Sequence, residues 1–153
     1  MITDLRHPLL SRAHRRRVRF DRAWRPWLVA WLGGPVIGIV NGVARETLYA
    51  NAVGDSAAHQ ISTGTGAALF ALYFWFLTGR WPLETRRDAL TVGAVWVALM
   101  VAFEFGFGHW VDGTSWRDLA RDWNLADGRL WPLLVLWVGA GPTVFRELRR
   151  RRS

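Results

Sequence analysis

The segment VAFEFGFGHW, residues 101–110, forms the end of a long apolar run and carries one acidic residue, Glu104, within it. A carboxylate in hydrocarbon is costly, so an acidic residue in a spanning helix normally faces a protein interior, pairs with another group or has a functional role. Glu104 lies about one helical turn from the end of the run, where it can reach headgroup water. The segment therefore predicts a membrane-spanning helix that packs against other helices around a polar group.

The composition favours a single membrane domain. The chain has 153 residues, of which 51% are hydrophobic and 11 are Trp, a residue enriched at membrane interfaces. All 20 basic residues are arginines, and they concentrate in both tails and a few connections beside apolar runs. The net charge of +8 therefore indicates membrane lipids rather than nucleic acid as partners. The lack of cysteine excludes disulfides and thiolate metal sites.

Four apolar runs predict four spanning helices, at residues 26–44, 57–78, 89–107 and 130–145. Their lengths approach the roughly 20 residues that cross a bilayer, although the fourth is barely long enough. The predicted fold class is therefore all-α, a transmembrane four-helix bundle. A short interfacial helix is expected between spans three and four.

The first predicted span carries small and polar residues on one face, at a spacing of four, three and four: Gly34, Gly38, Asn41 and Arg45. Such a face lets membrane helices approach closely. Residues 33–35, Gly-Gly-Pro, predict a kink, and a turn is expected through Asn51, Gly54 and Asp55. A cleaved signal peptide is an alternative, but the basic region is long and the apolar run is interrupted at residues 33–35.

The second span has a polar stripe that is expected to face inward: His59, Ser62, Thr63, Gly66, Phe70 and Tyr73. Ser62 and Thr63 are interpreted as interhelical hydrogen-bonding residues. His59 lies in the first turn, where it could reach interfacial water or Glu46. A structural role for His59 is favoured over a functional one.

The connection between the third and fourth spans predicts a short amphipathic helix. Ser115 and Asp118 resemble a capping box, and Gly128 provides a stop. Trp116, Leu119 and Trp123 share its apolar face. This face either anchors the helix in the membrane interface or packs over the mouth of the bundle.

The arginine distribution predicts the orientation. Eight arginines precede the first span, three lie between the second and third and five follow the fourth, whereas four lie in the other connections. By the positive-inside rule both termini are cytoplasmic. Residues 1–25 are then a basic cytoplasmic segment, residues 26–145 the membrane domain and residues 146–153 a basic tail. The first segment is expected to lie on anionic lipid, with a nucleic-acid-binding arm as the alternative.

This orientation gathers six titratable side chains at the outer ends of the first three spans: Arg45, Glu46, His59, Glu104, His109 and Asp112. A transport pathway needs polar groups at several depths, so one polar layer disfavours a through-going transporter. The layer predicts either a binding pocket open to the outside or structural ion pairs, such as Arg45 with Glu104.

The leading functional hypothesis is a binding or accessory protein whose pocket engages a lipid headgroup, a small solute or a partner membrane protein. Arg45 would contact an anion, with Glu104 as its counter-charge. The alternatives are a membrane enzyme that uses Glu104 as base with His59 or His109 as acid, and a small oligomeric channel or transporter. No metal or cofactor is predicted, because His59, Glu104 and His109 lack ligand spacing and no phosphate loop or nucleophile elbow is present.

Two segments carry a resemblance: ARETLYANAVGDSAAHQIST, residues 44–63, and FEFGFGHWVDGTSWRDLARDWNLADGRLW, residues 103–131. They resemble a group of small four-helix bacterial membrane proteins, over about residues 34–131. The resemblance implies a four-helix fold in the bacterial cytoplasmic membrane. It brings no activity, cofactor or substrate with it.

Overall fold

The computed structural model describes residues 24–121, 123–125 and 130–152. It is all-helical, with 86% helix and no strand in the described part of the chain. The helices are α1 (Trp24–Val53), α2 (Asp55–Arg80), α3 (Arg86–Trp110), α4 (Trp116–Arg121) and α5 (Trp131–Arg150). Three of them, α1, α2 and α3, are long and apolar enough to cross a membrane. Most of the basic N-terminal segment and the stop at Gly128 lie outside the described residues.

Helix α1 is longer than the sequence predicts. The predicted end at Ala44 is wrong, because the helix continues to Val53 through a π-helical segment, Arg45–Tyr49. Of the turn predicted through Asn51, Gly54 and Asp55, Gly54 alone lies outside a helix. Only Gly54, with φ 80°, separates α1 from α2, and glycine adopts this left-handed conformation without a steric penalty. Arg45 and Glu46 therefore lie on a π-helical turn, a feature often found at functional sites.

The structure shows a break in the regular helix close to the kink that is predicted in α1. The regular helix is interrupted at Leu32, immediately before residues 33–35. The Leu32 N–H donates to the Val29 carbonyl at 3.1 Å, three residues back instead of four. The tightened turn lies where Pro35 has no N–H to donate to the regular helical pattern.

Helix α3 starts at a capping box that the sequence reasoning placed inside a connection. Asp88 N donates to Thr85 Oγ1 at 3.1 Å, and Thr85 N donates to Asp88 Oδ2 at 3.1 Å. These bonds satisfy two N–H groups that the helix itself leaves unpaired. The helix therefore begins before its apolar run.

The largest buried side chains lie towards the end of the helices where α1 begins and α2 and α5 finish, which is called the inner end below. Trp27, Phe74, Trp96 and Val138 are each at most 1% exposed. Trp27 Nε1 donates to the Trp81 carbonyl at 3.1 Å, and Trp96 Nε1 donates to the Trp27 carbonyl at 3.0 Å. At the inner end the Trp96 indole thus ties α3 to α1, and the Trp27 indole ties α1 to the connection between α2 and α3.

Close contacts with α5 depend on glycines. A Cβ on Gly93 of α3 would lie 2.0 Å from the Gly139 carbonyl oxygen of α5, and one on Gly141 would lie 2.3 Å from Phe74 of α2. The small face predicted on α1 does not serve this purpose throughout, because a Cβ on Gly38 would meet nothing within 4 Å. Helix α5 is therefore tightly packed at these glycines, whereas α1 leaves space beside Gly38.

Helix α1 is joined to α2 by a polar link. Asn41 Nδ2 donates to the Ser62 carbonyl at 2.7 Å and to Ser62 Oγ at 3.0 Å, and Thr65 Oγ1 donates to Asn41 Oδ1 at 2.7 Å. The interhelical role predicted for Ser62 is confirmed. The same prediction for Thr63 is wrong, because its hydroxyl donates to the His59 carbonyl of its own helix.

Helix α4 forms as the sequence predicts. Ser115 Oγ accepts from the Asp118 N–H at 3.2 Å, so Ser115 caps the helix. Leu119 is 8% exposed and packs on Gly108, where a Cβ would lie 2.6 Å from Leu119 Cδ2. Trp116 and Trp123 contact the ring of Phe105. The apolar face of α4 therefore packs against α3. Of the two predicted arrangements, these contacts match the one in which the helix packs over the bundle.

Candidate functional site

Helices α1, α3, α4 and α5 enclose a cavity of about 450 Å³, which is called the crevice below. Its walls are mostly apolar, and polar residues concentrate near the end where α1 and α3 finish, called the outer end. The described lining residues are Trp31, Gly34, Pro35, Gly38, Ile39, Phe70, Trp96, Met100, Phe103, Glu104, Phe107, Gly108, Asp112, Thr114, Leu119, Trp131, Leu134 and Val138. A cavity of this size lies within the roughly 300–1,000 Å³ of small-molecule sites.

The crevice follows the helix direction. Trp96 and Gly108 both line it and lie 12 positions apart on α3, a distance of roughly 18 Å along the helix. Trp96 and Val138, which also belong to the buried core, close its inner end. Leu119 of α4 lies across its outer end. The length of the crevice is therefore about half the ~30 Å thickness of a bilayer's hydrocarbon core.

Helix α1 forms the thin wall of the crevice. Gly34 and Gly38 line it without side chains, and the edge-to-face pair of Trp31 and Phe103, 6.1 Å between ring centroids, crosses from α1 to α3. The neighbouring residues Val36 and Val40 are each 60% exposed. The space beside Gly38 is larger than a missing methyl group, because a Cβ there would meet nothing within 4 Å.

Glu104 is one of two acidic residues in the described lining of the crevice. Its Oε2 accepts from Trp131 Nε1 at 2.5 Å, which joins α3 to the start of α5. A hydrogen bond to an ionised acceptor is stronger than a neutral one. The sequence reasoning missed Trp131 as a partner, although its position at the outer end of the fourth predicted span offered a signal.

His109 and Asp112 stand near Glu104 in the sequence but make different contacts. His109 Nδ1 donates to the Thr114 carbonyl at 3.0 Å, and its ring stacks on Trp116 with 4.0 Å between centroids. His109 therefore holds the turn before α4. Asp112 is exposed and, with Glu104, lines the crevice.

Arg45, Glu46 and His59 form a separate group at the junction of α1 and α2. Arg45 Nη2 lies 2.8 Å from Glu46 Oε1, and Arg45 Nη1 lies 3.4 Å from His59 Nδ1. None of the three is among the described residues that line the crevice. The single predicted layer is thus divided into two groups.

The ion pair predicted between Arg45 and Glu104 is wrong. Within residues 24–121, 123–125 and 130–152, the carboxylate that pairs with Arg45 is Glu46, its neighbour on the π-helical turn. The π-helical turn positions both side chains at the α2 junction, and Glu104 instead bonds Trp131 of α5. The described residues also contain no group of three His, Asp or Glu side chains that could hold a metal ion.

Fold and site define a helical protein with three membrane-length helices and an apolar crevice that carries two carboxylates towards one end. The chain matches no protein-family model, no curated protein and no solved structure.

Proposed function

We propose that this chain is a four-span protein of the bacterial cytoplasmic membrane, with both termini in the cytoplasm, that binds one membrane lipid in the crevice. The observation that carries the proposal is the crevice itself, which is apolar along its length and carries the carboxylates of Glu104 and Asp112 towards its outer end. The role is binding or accessory.

Membrane insertion is supported by the surface of α1. Large apolar side chains cover it, with Val29 69%, Leu32 60% and Val43 57% exposed. Soluble monomers rarely expose apolar patches larger than a few hundred Å². Contact of this surface with acyl chains would avoid the unfavourable free energy of exposing apolar side chains to water.

A fourth span is supported by α5. It has 20 residues, about 30 Å in length, and Val135, Val138, Gly141 and Pro142 are buried along it. It packs on both α2 and α3. An element packed against two membrane helices is expected to cross with them. The basic residues that follow its apolar part agree with a cytoplasmic C-terminus.

The ligand follows from the walls of the crevice. An acyl chain fits the apolar part, and the carboxylates of Glu104 and Asp112 favour a headgroup that donates hydrogen bonds or carries an ammonium group. Phosphatidylethanolamine combines the two features. Arg45, the anion contact in the leading hypothesis, lies in the other polar group and is not required.

Binding is better supported than acid–base catalysis. His109 is stacked on Trp116 and bonded to Thr114, and His59 contacts Arg45. These contacts give neither histidine a position beside Glu104, whereas an acid–base pair needs both groups within hydrogen-bond reach of one substrate.

The test introduces a larger side chain into the crevice from α1. Gly38→Leu places a side chain where nothing lies within 4 Å of a Cβ, so the helix can accept it. The purified protein is titrated with phosphatidylethanolamine in neutral detergent, and bound lipid is counted by native mass spectrometry. We expect the variant to lose at least tenfold in affinity.

Gly42→Leu is the matched control. It lies on the same helix, its Cβ would also meet nothing within 4 Å, and it is not among the described lining residues. It should bind the lipid as the original chain does. Equal affinity of the Gly38 and Gly42 variants, with both folded by circular dichroism, would contradict the proposal.

A further inference from the structure

A second cavity, of about 500 Å³, lies at the inner end and is called the arginine groove. It is formed by the last turns of α2, the connection to α3 and the last turns of α5. Its described lining includes Trp75, Glu84, Arg146, Arg149, Arg150 and Arg152. Four guanidinium groups and one carboxylate therefore share one concave surface in the described part of the chain.

Two of these arginines are positioned by the fold. Arg146 donates to the carbonyls of Leu83 at 2.9 Å and Glu84 at 2.6 Å, and its guanidinium also forms an ion pair with Glu147, so its charge is already partly compensated. Arg149 donates to Thr78 Oγ1 at 3.2 Å, and its Cζ lies 4.1 Å from the ring centroid of Trp75. These bonds fix the charges at the groove wall, so a ligand need not order those side chains.

The other two arginines approach from the exposed end of α5. Arg150 and Arg152 are both exposed, and Arg152 Cζ lies 5.2 Å from the Trp75 ring centroid. Arg149 and Arg152 thus approach the same indole, although like charges repel one another. An anion bound between them would offset this repulsion.

Gly79 makes this arrangement possible. A Cβ at this position would lie 2.5 Å from Arg149 Nη2, so the absence of a side chain lets the guanidinium lie across α2. The fold therefore shapes the arginine groove by leaving room for Arg149 at Gly79, so the groove differs from a run of solvated charges at the chain end.

We propose that the arginine groove binds the phosphate group of an anionic membrane phospholipid. Guanidinium groups bind phosphate through paired N–H donors, and indoles favour the headgroup level of a membrane. The positive-inside rule places this end at the cytoplasmic leaflet, whose anionic lipids attract clustered arginines. The inference rests on the proposed four-span topology but is independent of the crevice.

The test removes the exposed charges of Arg150 and Arg152 and leaves Arg146 and Arg149, which are partly buried, in place. R150Q/R152Q is titrated with short-chain phosphatidylglycerol in neutral detergent, and bound lipid is counted by native mass spectrometry. We expect affinity to fall by about fivefold for each arginine, roughly 25-fold in total. The variant should still fold, as checked by circular dichroism, because Arg146 and Arg149 keep their contacts.

R86Q/R151Q is the matched control. Both arginines are exposed and belong to the same predicted side, and neither is among the described lining residues of the groove. The pair removes the same charge and therefore measures the diffuse attraction alone. Equal losses in the two double variants, or no saturable binding by the original chain, would overturn the proposal.

Inorganic phosphate distinguishes a lipid headgroup from a soluble phosphate ester. Failure of millimolar phosphate to displace phosphatidylglycerol supports the lipid. Displacement that R150Q/R152Q weakens would overturn the lipid assignment in favour of a soluble ligand at the same site. The Gly38→Leu variant should bind phosphatidylglycerol normally, so failure of the crevice proposal and failure of this one give different results.

Discussion

At the scale of single residues, Glu104 illustrates how an apolar helix tolerates a carboxylate. The bond from Trp131 Nε1 is one described contact that compensates its partial burial. An indole is suited to this position because its ring packs against apolar side chains while its N–H reaches an acceptor. Glu104 is therefore both a structural tie between α3 and α5 and a polar group of the crevice wall.

Trp131→Phe tests the structural part of this role. It removes the donor and keeps most of the ring, so the free energy of unfolding should fall by about 1.5–3 kcal/mol, typical of a bond to a charged acceptor. Thermal or denaturant unfolding in detergent, followed by circular dichroism, measures the loss.

The same substitution in a Glu104→Gln background is the control. A neutral amide makes the weaker bond, so Trp131→Phe should cost only about 0.5–1.5 kcal/mol there. An identical loss in both backgrounds would show that packing of the indole, and not its bond to Glu104, stabilises the junction.

At the scale of helices, the contact between α3 and α5 is set by missing side chains. Gly93 faces the Gly139 carbonyl so closely that a Cβ would overlap it at 2.0 Å. Backbone atoms cannot turn aside as a flexible side chain can. A larger residue at Gly93 would therefore force α3 and α5 apart.

Gly93→Ala should lower the free energy of unfolding by at least about 1–3 kcal/mol, the usual range for overpacking. Gly64→Ala is its control on α2, where a Cβ would meet nothing within 4 Å. That change should be neutral or stabilising by up to ~1 kcal/mol, since alanine favours a helix. The prediction fails if Gly93→Ala unfolds at the same temperature as Gly64→Ala.

At the scale of the whole molecule, the buried aromatic core lies at the inner end and the crevice lies towards the outer end. The Trp27, Phe74 and Trp96 rings and the arginine contacts hold the inner end together. The polar link from Asn41 joins α1 only to α2. This asymmetry places the two proposed lipid sites at opposite ends of the molecule.

The topology can be measured directly because the chain has no cysteine. Single cysteines at the exposed positions Val53, Val111, Arg86 and Arg151 are treated with a membrane-impermeant maleimide in bacterial spheroplasts. Val53→Cys and Val111→Cys should react in intact spheroplasts. Arg86→Cys and Arg151→Cys should react only after permeabilisation. Labelling of Arg151→Cys from outside, with Arg86→Cys protected, would mean that α5 does not cross.

Sequence reasoning placed the helical elements well where the information is local. The cap at Ser115, the extent of the apolar runs and the shared face of α4 depend on neighbouring residues in one helix. The predicted end of α1 at Ala44 was too early. The apolar composition ends near this residue, whereas the backbone hydrogen bonds that define the helix continue to Val53.

The sequence by itself determined that the chain is helical, which runs are long and apolar, and where the charges and the cap at Ser115 lie, because these depend on spacing along one chain. Only the tertiary structure decided that Gly93 makes a close contact while Gly38 leaves a space, and that Arg45 and Glu104 belong to different groups. The physical reason is that contacts depend on the rotation and separation of pairs of helices. Two glycines in similar apolar surroundings look alike until their neighbours are placed.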